Sequence, residues 1–453
     1  MILTILGGGG FRVPLVHAAL LKDTVATRSD RSVTELRLFD TDPARLGAVL
    51  AVCREQAASH PHAPRVSTHT DLDAAVRGTD VVFSAVRVGG LPGRSCDEHL
   101  PLEHGVIGQE TVGAGGILYG LRTLPVVTAM ARRIRELAPE AWVINFTNPA
   151  GMVTEALVDV LGDRVVGICD SPVGLARRAL TAAGVPRARH AGAQIGYVGL
   201  NHLGWLRALT LDGTDLLPGL MADPERLGSF EEGRLFGVDW LQALGDLPNE
   251  YLHHYYFARE DLQSALASTE SRADQIMEQQ ADFYGVLDPT APGALRRWED
   301  VRLARERTYM SLNRTATGHF ERDEQDLSGG GYEQVALAIM HAILHDEAAT
   351  LVLNVPNRGR VTHLDDAAVI EASCRVDGSG IHPLPCPPLP DHGVGLVQQV
   401  KHAERRAIEA ATTGSRTDAW LAMAAHPLVD SVAVARRLLD EAIVTQEGLA
   451  HLR

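Results

Sequence analysis

Residues 1–15, MILTILGGGGFRVPL, set a short apolar run, ILTIL at 2–6, directly before four consecutive glycines: Gly7, Gly8, Gly9 and Gly10. Glycine is the residue that costs most to order, so a run of four implies backbones that something must approach closely. Between a strand and a helix, such residues allow a tight turn and bring a pyrophosphate beneath the helix N-terminus, with Phe11 next in line. The spacing departs from G-x-G-x-x-G, because the position of the third glycine is Arg12. A tight turn that binds nothing is the alternative.

Outward from this turn, short apolar runs alternate with amphipathic ones. Strands are expected at 2–6, 35–39, 80–86, 142–146 and 164–168, with helices near 13–22, 43–59, 71–78, 117–137 and 150–161. Continuous apolar strands joined by helical crossovers predict an α/β fold, a doubly wound Rossmann-type parallel sheet whose ligand lies at the carboxyl ends of its strands. After residue 170 the texture changes. AQIGYVGLNHLGWLRALTLDG reads as two antiparallel strands, TLVLNVP at 350–356 as one more, and the rest as mainly helical. The segment from RRWEDVRLARERTYM to ERDEQDLSGGG reads as a solvated helix and a mobile connection. Residues 1–170 are therefore expected to form the NAD-type nucleotide domain, and 171–453 a mainly helical α+β domain for substrate and oligomerisation.

Composition narrows the partners. A net charge of -15 and a pI near 5.7 leave no basic footprint for nucleic acid or an anionic membrane surface. An anionic substrate would have to be met by a few local arginines or backbone N–H groups. The five cysteines are odd in number and unevenly spaced, which is not a disulfide framework. MILTIL is cut off by glycine, unlike a signal peptide, and no window reads as eighteen apolar residues, so a cytoplasmic location is expected.

Several constellations carry chemistry. Asp40 ends the second strand in LRLFDTD, where a carboxylate accepts from an adenosine ribose and favours NAD over NADP; a helix N-cap, which Thr41 or Asp42 could equally supply, is the other reading. Residues 85–127 form a polar, glycine-rich passage on the ligand side of the sheet, where Arg87 and Arg94 could clamp an anion and Asn148 in NFTNPAG could meet sugar hydroxyls. Cys169 in VGICDSP and His202 in GLNHLGW could together hold a divalent transition metal, although a buried thiol and a core imidazole are the commoner outcome. LPNEYLHHYYFARED at 247–261 concentrates Tyr251, His253, His254, Tyr255 and Tyr256. A tyrosine beside a metal and a nicotinamide can serve as a base; packed aromatic rings at a helix end are the alternative.

In order, these segments resemble glycoside hydrolase family 4, the NAD- and metal-dependent glycosidases. The resemblance runs through the glycine turn, RVGGLPGRSCDEHLPLEHGVIGQETVGAGG, NFTNPAG, GICDSP, GLNHLGW, LPNEYLHHYY, SGGGYEQVALAIMHAI and LNVPN, nearly the whole chain. It implies a retained NAD and a divalent metal, usually manganese, held by Cys169 and His202. It also implies a reaction in which hydride leaves C3 of the sugar for NAD, a base removes the acidified C2 proton, the aglycone is eliminated from C1, and water and hydride then return. The two-carboxylate scheme of most glycosidases does not apply to this family. In the branch acting on β-linked 6-phosphoglucosides the base is a tyrosine, at the position of Tyr251. The same comparison assigns the substrate's anionic end to Arg87 and the hydroxyls near C2 and C3 to Asn148, and puts Glu110 of GQET in the pocket. Homodimers or homotetramers are usual.

Two departures bear on the substrate. His253 and Ser328 stand where the family has arginines, so the group at C6 could be a 6-phosphate, met in part by His253, or a carboxylate, a sulfonate or a free hydroxyl. A plain NAD-dependent dehydrogenase of the malate or lactate type and a non-catalytic NAD sensor are the rival readings of the glycine turn.

Overall fold

The computed structural model describes residues 1–26, 32–285, 288–309 and 331–453. The sheet is built first from β1 (Ile2–Leu6), β2 (Glu35–Phe39), β3 (Arg65–His69), β4 (Val81–Ser84), β5 (Trp142–Asn145) and β6 (Val165–Gly167). These pair in parallel in the order β3-β2-β1-β4-β5-β6, the strand order of a doubly wound dinucleotide fold. Helices Val13–Ala26, Pro43–Ala57, Gly113–Leu137 and Ala150–Leu161 cross between the strands. β4 is buried throughout and β1 nearly so, which is why they read as continuous apolar runs.

The same sheet continues into an antiparallel half. It comprises β7 (Gln194–Leu200), β8 (Leu203–Leu211), β9 (Thr214–Asp215), β10 (Leu247–Pro248), β11 (Ala349–Pro356), β12 (Val369–Asp377) and β13 (Gly380–Pro383). β11 joins β6 through the pair Asn354 and Gly167, and the order runs on through β12, β7, β8 and β10. The β7–β8 hairpin expected at residues 193–213 is present, with a bulge between Gly196 and Tyr197.

Three of the elements that escape the sequence pattern do so for clear physical reasons. β3 is an edge strand, RVSTH, half in solvent and so not apolar. β12, VIEASCRVD, is buried from Val369 to Cys374, yet Glu371 and Ser373 break its apolar run. Helix Gly90–Glu103 carries Pro92 and Pro101 and buries Arg94, Asp97 and Glu98, so no hydrophobic face marks it. Charge pairing replaces that face: Arg122 donates to both carboxylate oxygens of Asp97, at 3.0 and 2.6 Å.

Helix Gly113–Leu137 is long and apolar enough to cross a membrane by composition, but 72% of its most apolar stretch is buried inside the molecule. The helix expected within RRWEDVRLARERTYM is Ala294–Arg307; it packs on Pro43–Ala57 and buries Trp298 rather than lying in solvent. Ser328 and the expected mobile connection lie outside the described residues.

Candidate active site

The carboxyl ends of β1, β2, β4 and β6 open into one cavity of about 1020 Å³, which continues beneath the β7–β8 hairpin and the segment Glu250–His254. Gly7, Gly10, Phe11, Asp40, Arg87, Arg94, Glu110, Asn148, Cys169, His202 and Tyr251 all line it. Positions spread over 245 residues of sequence are thus brought to a single wall, large enough for a dinucleotide-sized ligand.

At the glycine turn, close packing fixes the residue type. A Cβ on Gly7, whose φ is +83°, would lie 2.5 Å from the Ala85 carbonyl oxygen, and one on Gly8 would lie 2.7 Å from Leu38 Cα. The four glycine N–H groups are spent within the turn and its neighbours: Gly7 and Gly8 donate to Phe39 O, Gly10 to Gly7 O, and Gly9 to Asp40 Oδ2 at 3.0 Å. Gly8 and Gly9 therefore shape the turn without reaching the cavity wall. Asp42, not Asp40, caps helix Pro43–Ala57, accepting from Ala44 and Arg45 N–H. That leaves Asp40 on the wall, braced on Gly9 and on Asp42 N–H.

The second half of the chain closes over the turn. Tyr284 donates to Gly9 O at 2.7 Å and Trp298 Nε1 to Phe11 O at 2.7 Å, while the Phe11 ring meets Phe283, Tyr284 and Trp298 edge-on or tilted. Nothing in local sequence links these rings to residue 11, and only the fold brings them there.

Glu110 sits between two arginines, paired with Arg87 and, at 2.8 Å, with Arg94; Arg94 also bonds Glu98 at 2.7 Å. Burial pushes the Glu110 carboxyl up, but Arg87 and Arg94 overcome it and hold it down at about 2. Arg272 and Arg305 line the same cavity and were not singled out from the sequence. Burial and like charge press both guanidinium groups down, Arg272 to about 10 beside Arg94 and Arg305 well below its usual value beside Arg12 and Arg272. Such a cluster favours an anionic ligand. The sequence signal for Arg305 is the arginine density from residue 296 onward, and Arg272 carries no such signal.

Cys169 lies just past β6 and is buried. His202 occupies the β7–β8 turn at φ +60°, a left-handed conformation uncommon for a non-glycine residue. Its Nδ1 is 2.8 Å from Thr111 Oγ1, which leaves Nε2 as the remaining ring nitrogen. Burial holds the imidazole neutral, with its value down at about 3, and pushes the Cys169 thiol well up with help from the charges of Glu371 and Asp170. A neutral imidazole and a thiol that a cation would deprotonate form a fitting pair of metal donors. Among the described residues no group of three or more His, Cys, Asp or Glu side chains could hold a metal unaided. A metal here would accordingly keep positions open for a ligand's oxygens.

The Tyr251 ring stacks on His202 with centroids 3.6 Å apart and planes 5° from parallel. Its hydroxyl is 3.5 Å from that of Tyr309, which also contacts Glu250 Oε1 at 3.4 Å. Burial, with Glu250 beside it, raises the Tyr251 phenol. Asn148 lines the cavity wall, and its Oδ1 accepts from Ala150 N–H at 3.3 Å.

The structure does not bring His253 to that wall. Its ring is fully buried, stacked on Phe257 at 4.6 Å with Nδ1 3.1 Å from Asp261 Oδ2, while its neighbour His254 lines the cavity.

Comparison with known proteins agrees with this fold. The profile of the family 4 glycosyl hydrolases matches residues 2–184, and that of the family 4 glycosyl hydrolase C-terminal domain matches residues 197–429. A probable 6-phospho-beta-glucosidase of Bacillus subtilis is 33% identical over 387 residues, 83% of this chain and 81% of its own length. The 6-phospho-beta glucosidase of Thermotoga maritima, solved with NAD and glucose-6-phosphate, superposes with a TM-score of 0.80 at 25% identity, covering 99% of this chain and 98% of that one. A 6-phospho-alpha-glucosidase from gut microorganisms, solved with NAD and Mn2+, gives 0.79 at 25% identity with the same coverage. With both profiles matched in order along one cavity-forming chain, the protein belongs to family 4 of the glycosyl hydrolases.

Proposed function

We propose that this chain hydrolyses β-linked 6-phosphoglucosides with NAD and a divalent metal, manganese in the first instance, as cofactors. The observation that carries the reading is Tyr251 stacked on His202 in the cavity that Cys169 also lines. Bound there, NAD would supply reversible oxidation of a sugar carbon and the metal would polarise the sugar's oxygens.

The chain's own residues do the rest. Tyr251 takes the proton from C2 of the sugar, which lets the bond from C1 to the aglycone break, and returns it when water adds. Cys169 and His202 hold the metal, and Asn148 hydrogen-bonds the hydroxyls near C2 and C3. Arg87 and Arg94, with Arg272 and Arg305, meet the anionic end of the substrate, and Glu110 fixes the first two. Gly7, Gly10, Phe11 and Asp40 form the dinucleotide side. The β-linkage rests on the tyrosine segment, since relatives acting on both linkages share the fold.

The test is release of p-nitrophenol from its β-linked 6-phosphoglucoside, expected to need both NAD and Mn2+. Full activity after chelation or without NAD would sink the mechanism, and equal rates on the α-linked substrate would reverse the linkage. A C2-deuterated substrate should react more slowly if Tyr251 removes that proton. A second reading keeps the mechanism but changes the group at C6, because His253, at a family arginine position, lies off the wall beside Asp261. Faster turnover of an unphosphorylated or 6-carboxylate glycoside would select it. Net accumulation of NADH would instead select a dehydrogenase.

A cytoplasmic, homo-oligomeric enzyme with a boundary near residue 170 completes the proposal. Exposed Leu421, Val432 and Val444 on the C-terminal helices are candidate contact residues, testable by light scattering.

A further inference from the structure

Glu371 lies in β12, fully buried and behind the cavity rather than on its wall. A carboxyl in the middle of a sheet costs several kcal/mol to desolvate, so an apolar residue of similar size would be the stable choice there. What Glu371 does instead is accept two hydrogen bonds on one oxygen: Oε1 receives Asn201 Nδ2 at 3.2 Å and Asn354 Nδ2 at 3.1 Å.

The two asparagines belong to different parts of the site. Asn201 immediately precedes His202 in the β7–β8 turn, and β12 pairs with β7 so that Glu371 is opposite Gly199. Asn354 is on β11, opposite Gly167 of β6, two residues before Cys169. The contact is tight: a Cβ on Gly167 would fall 2.8 Å from Asn354 Cβ, and one on Gly151 would fall 3.2 Å from Asn201 Cβ. Burial pushes the Glu371 carboxyl up to about 7 against the pull of Asn201, Asn354 and Tyr197.

We infer that Glu371 is a positioning residue for the metal: by tying Asn201 and Asn354 to one oxygen, it sets the separation and orientation of His202 and Cys169. This rests on reading those two residues as the metal donors. Outer partners of metal ligands commonly change metal affinity by about 10–100-fold when removed.

The experiment is a titration of Mn2+ into the purified full-length chain, following free Mn2+ by electron paramagnetic resonance, with NAD binding followed separately by fluorescence and the fold by circular dichroism. Glu371→Leu, which keeps volume but not the acceptor, should weaken Mn2+ about 10–100-fold and leave NAD affinity within about twofold. Glu371→Gln retains a carbonyl oxygen for both asparagines and should stay within about threefold of wild type, since second-layer partners act through the hydrogen bond they offer. If Glu371→Leu does not fold, Asn354→Ala removes one arm and should weaken Mn2+ by about tenfold. Wild-type Mn2+ affinity in a folded Glu371→Leu or Asn354→Ala chain would overturn the inference, as would equal losses for Mn2+ and NAD. A chain whose Mn2+ binding ignores Cys169→Ala would overturn the metal reading itself and this inference with it.

Discussion

The glycine turn beside the cavity is backbone packed too closely to admit a Cβ, whereas around Tyr251, far along the chain, the cavity is lined by functional side chains, and the two ends fail differently when altered. The turn is held by contacts that leave no room for a Cβ, and its N–H groups are satisfied locally. The Tyr251 end is held by a stacked imidazole, a buried thiol and neighbouring carboxyls whose acidities burial has moved. A backbone site tolerates loss of a charge but not gain of a methyl group. A side-chain site tolerates small changes of volume but not loss of a functional atom.

The largest expected effect is at the side-chain end. Tyr251→Phe keeps the ring stacked on His202 and removes only the hydroxyl, so kcat should fall about 10²–10⁴-fold, the range for a lost general base, while NAD binding holds. Full kcat in that variant would break the distinction between the two ends.

Next comes the arginine cluster. The Glu110 carboxyl is held at about 2 against an ordinary 4.5, so it binds its proton more weakly in the folded chain than in the unfolded one. A lowered value contributes stability that is complete above pH 4.5 and is lost as the pH falls towards 2. The difference of about 2.5 units corresponds to about 3 kcal/mol as an order of magnitude. Melting curves of wild type and Glu110→Gln should therefore converge on acidification from pH 4.5 and separate above it.

At the turn, Gly8→Ala should cost about 1–3 kcal/mol by overpacking against Leu38, read as a lower denaturant midpoint. The smallest effect is expected of Asp40→Ala, which removes the acceptor for Gly9 N–H and should weaken NAD about tenfold without touching Mn2+ affinity. Loss of Mn2+ binding in that variant would mean that the two ends are coupled.

The sequence carried five of the six parallel strands, all but the edge strand β3, because those strands are apolar runs separated by longer stretches of helical length, which is a local property. It carried Cys169, His202 and Tyr251 as candidate residue types because each falls in a short, chemically unusual segment. It did not carry β12, helix Gly90–Glu103 or the arginines Arg272 and Arg305, because the charges buried there are met by polar and charged partners rather than set off by an apolar face, so no hydrophobic period marks them. Arg94 answers to Glu98 and Glu110, Asp97 to Arg122, and Glu371 to Asn201 and Asn354. Nor could it separate His253 from His254, adjacent and chemically identical; the turn of a short helix buries one among aromatic rings and leaves the other on the cavity. Periodicity and residue type are written locally, and so sequence by itself determined that a parallel, doubly wound sheet is present and which chemistry is available. Which charges meet, and which side chains share a wall, depends on how separate elements pack against one another, and only the tertiary structure decided them.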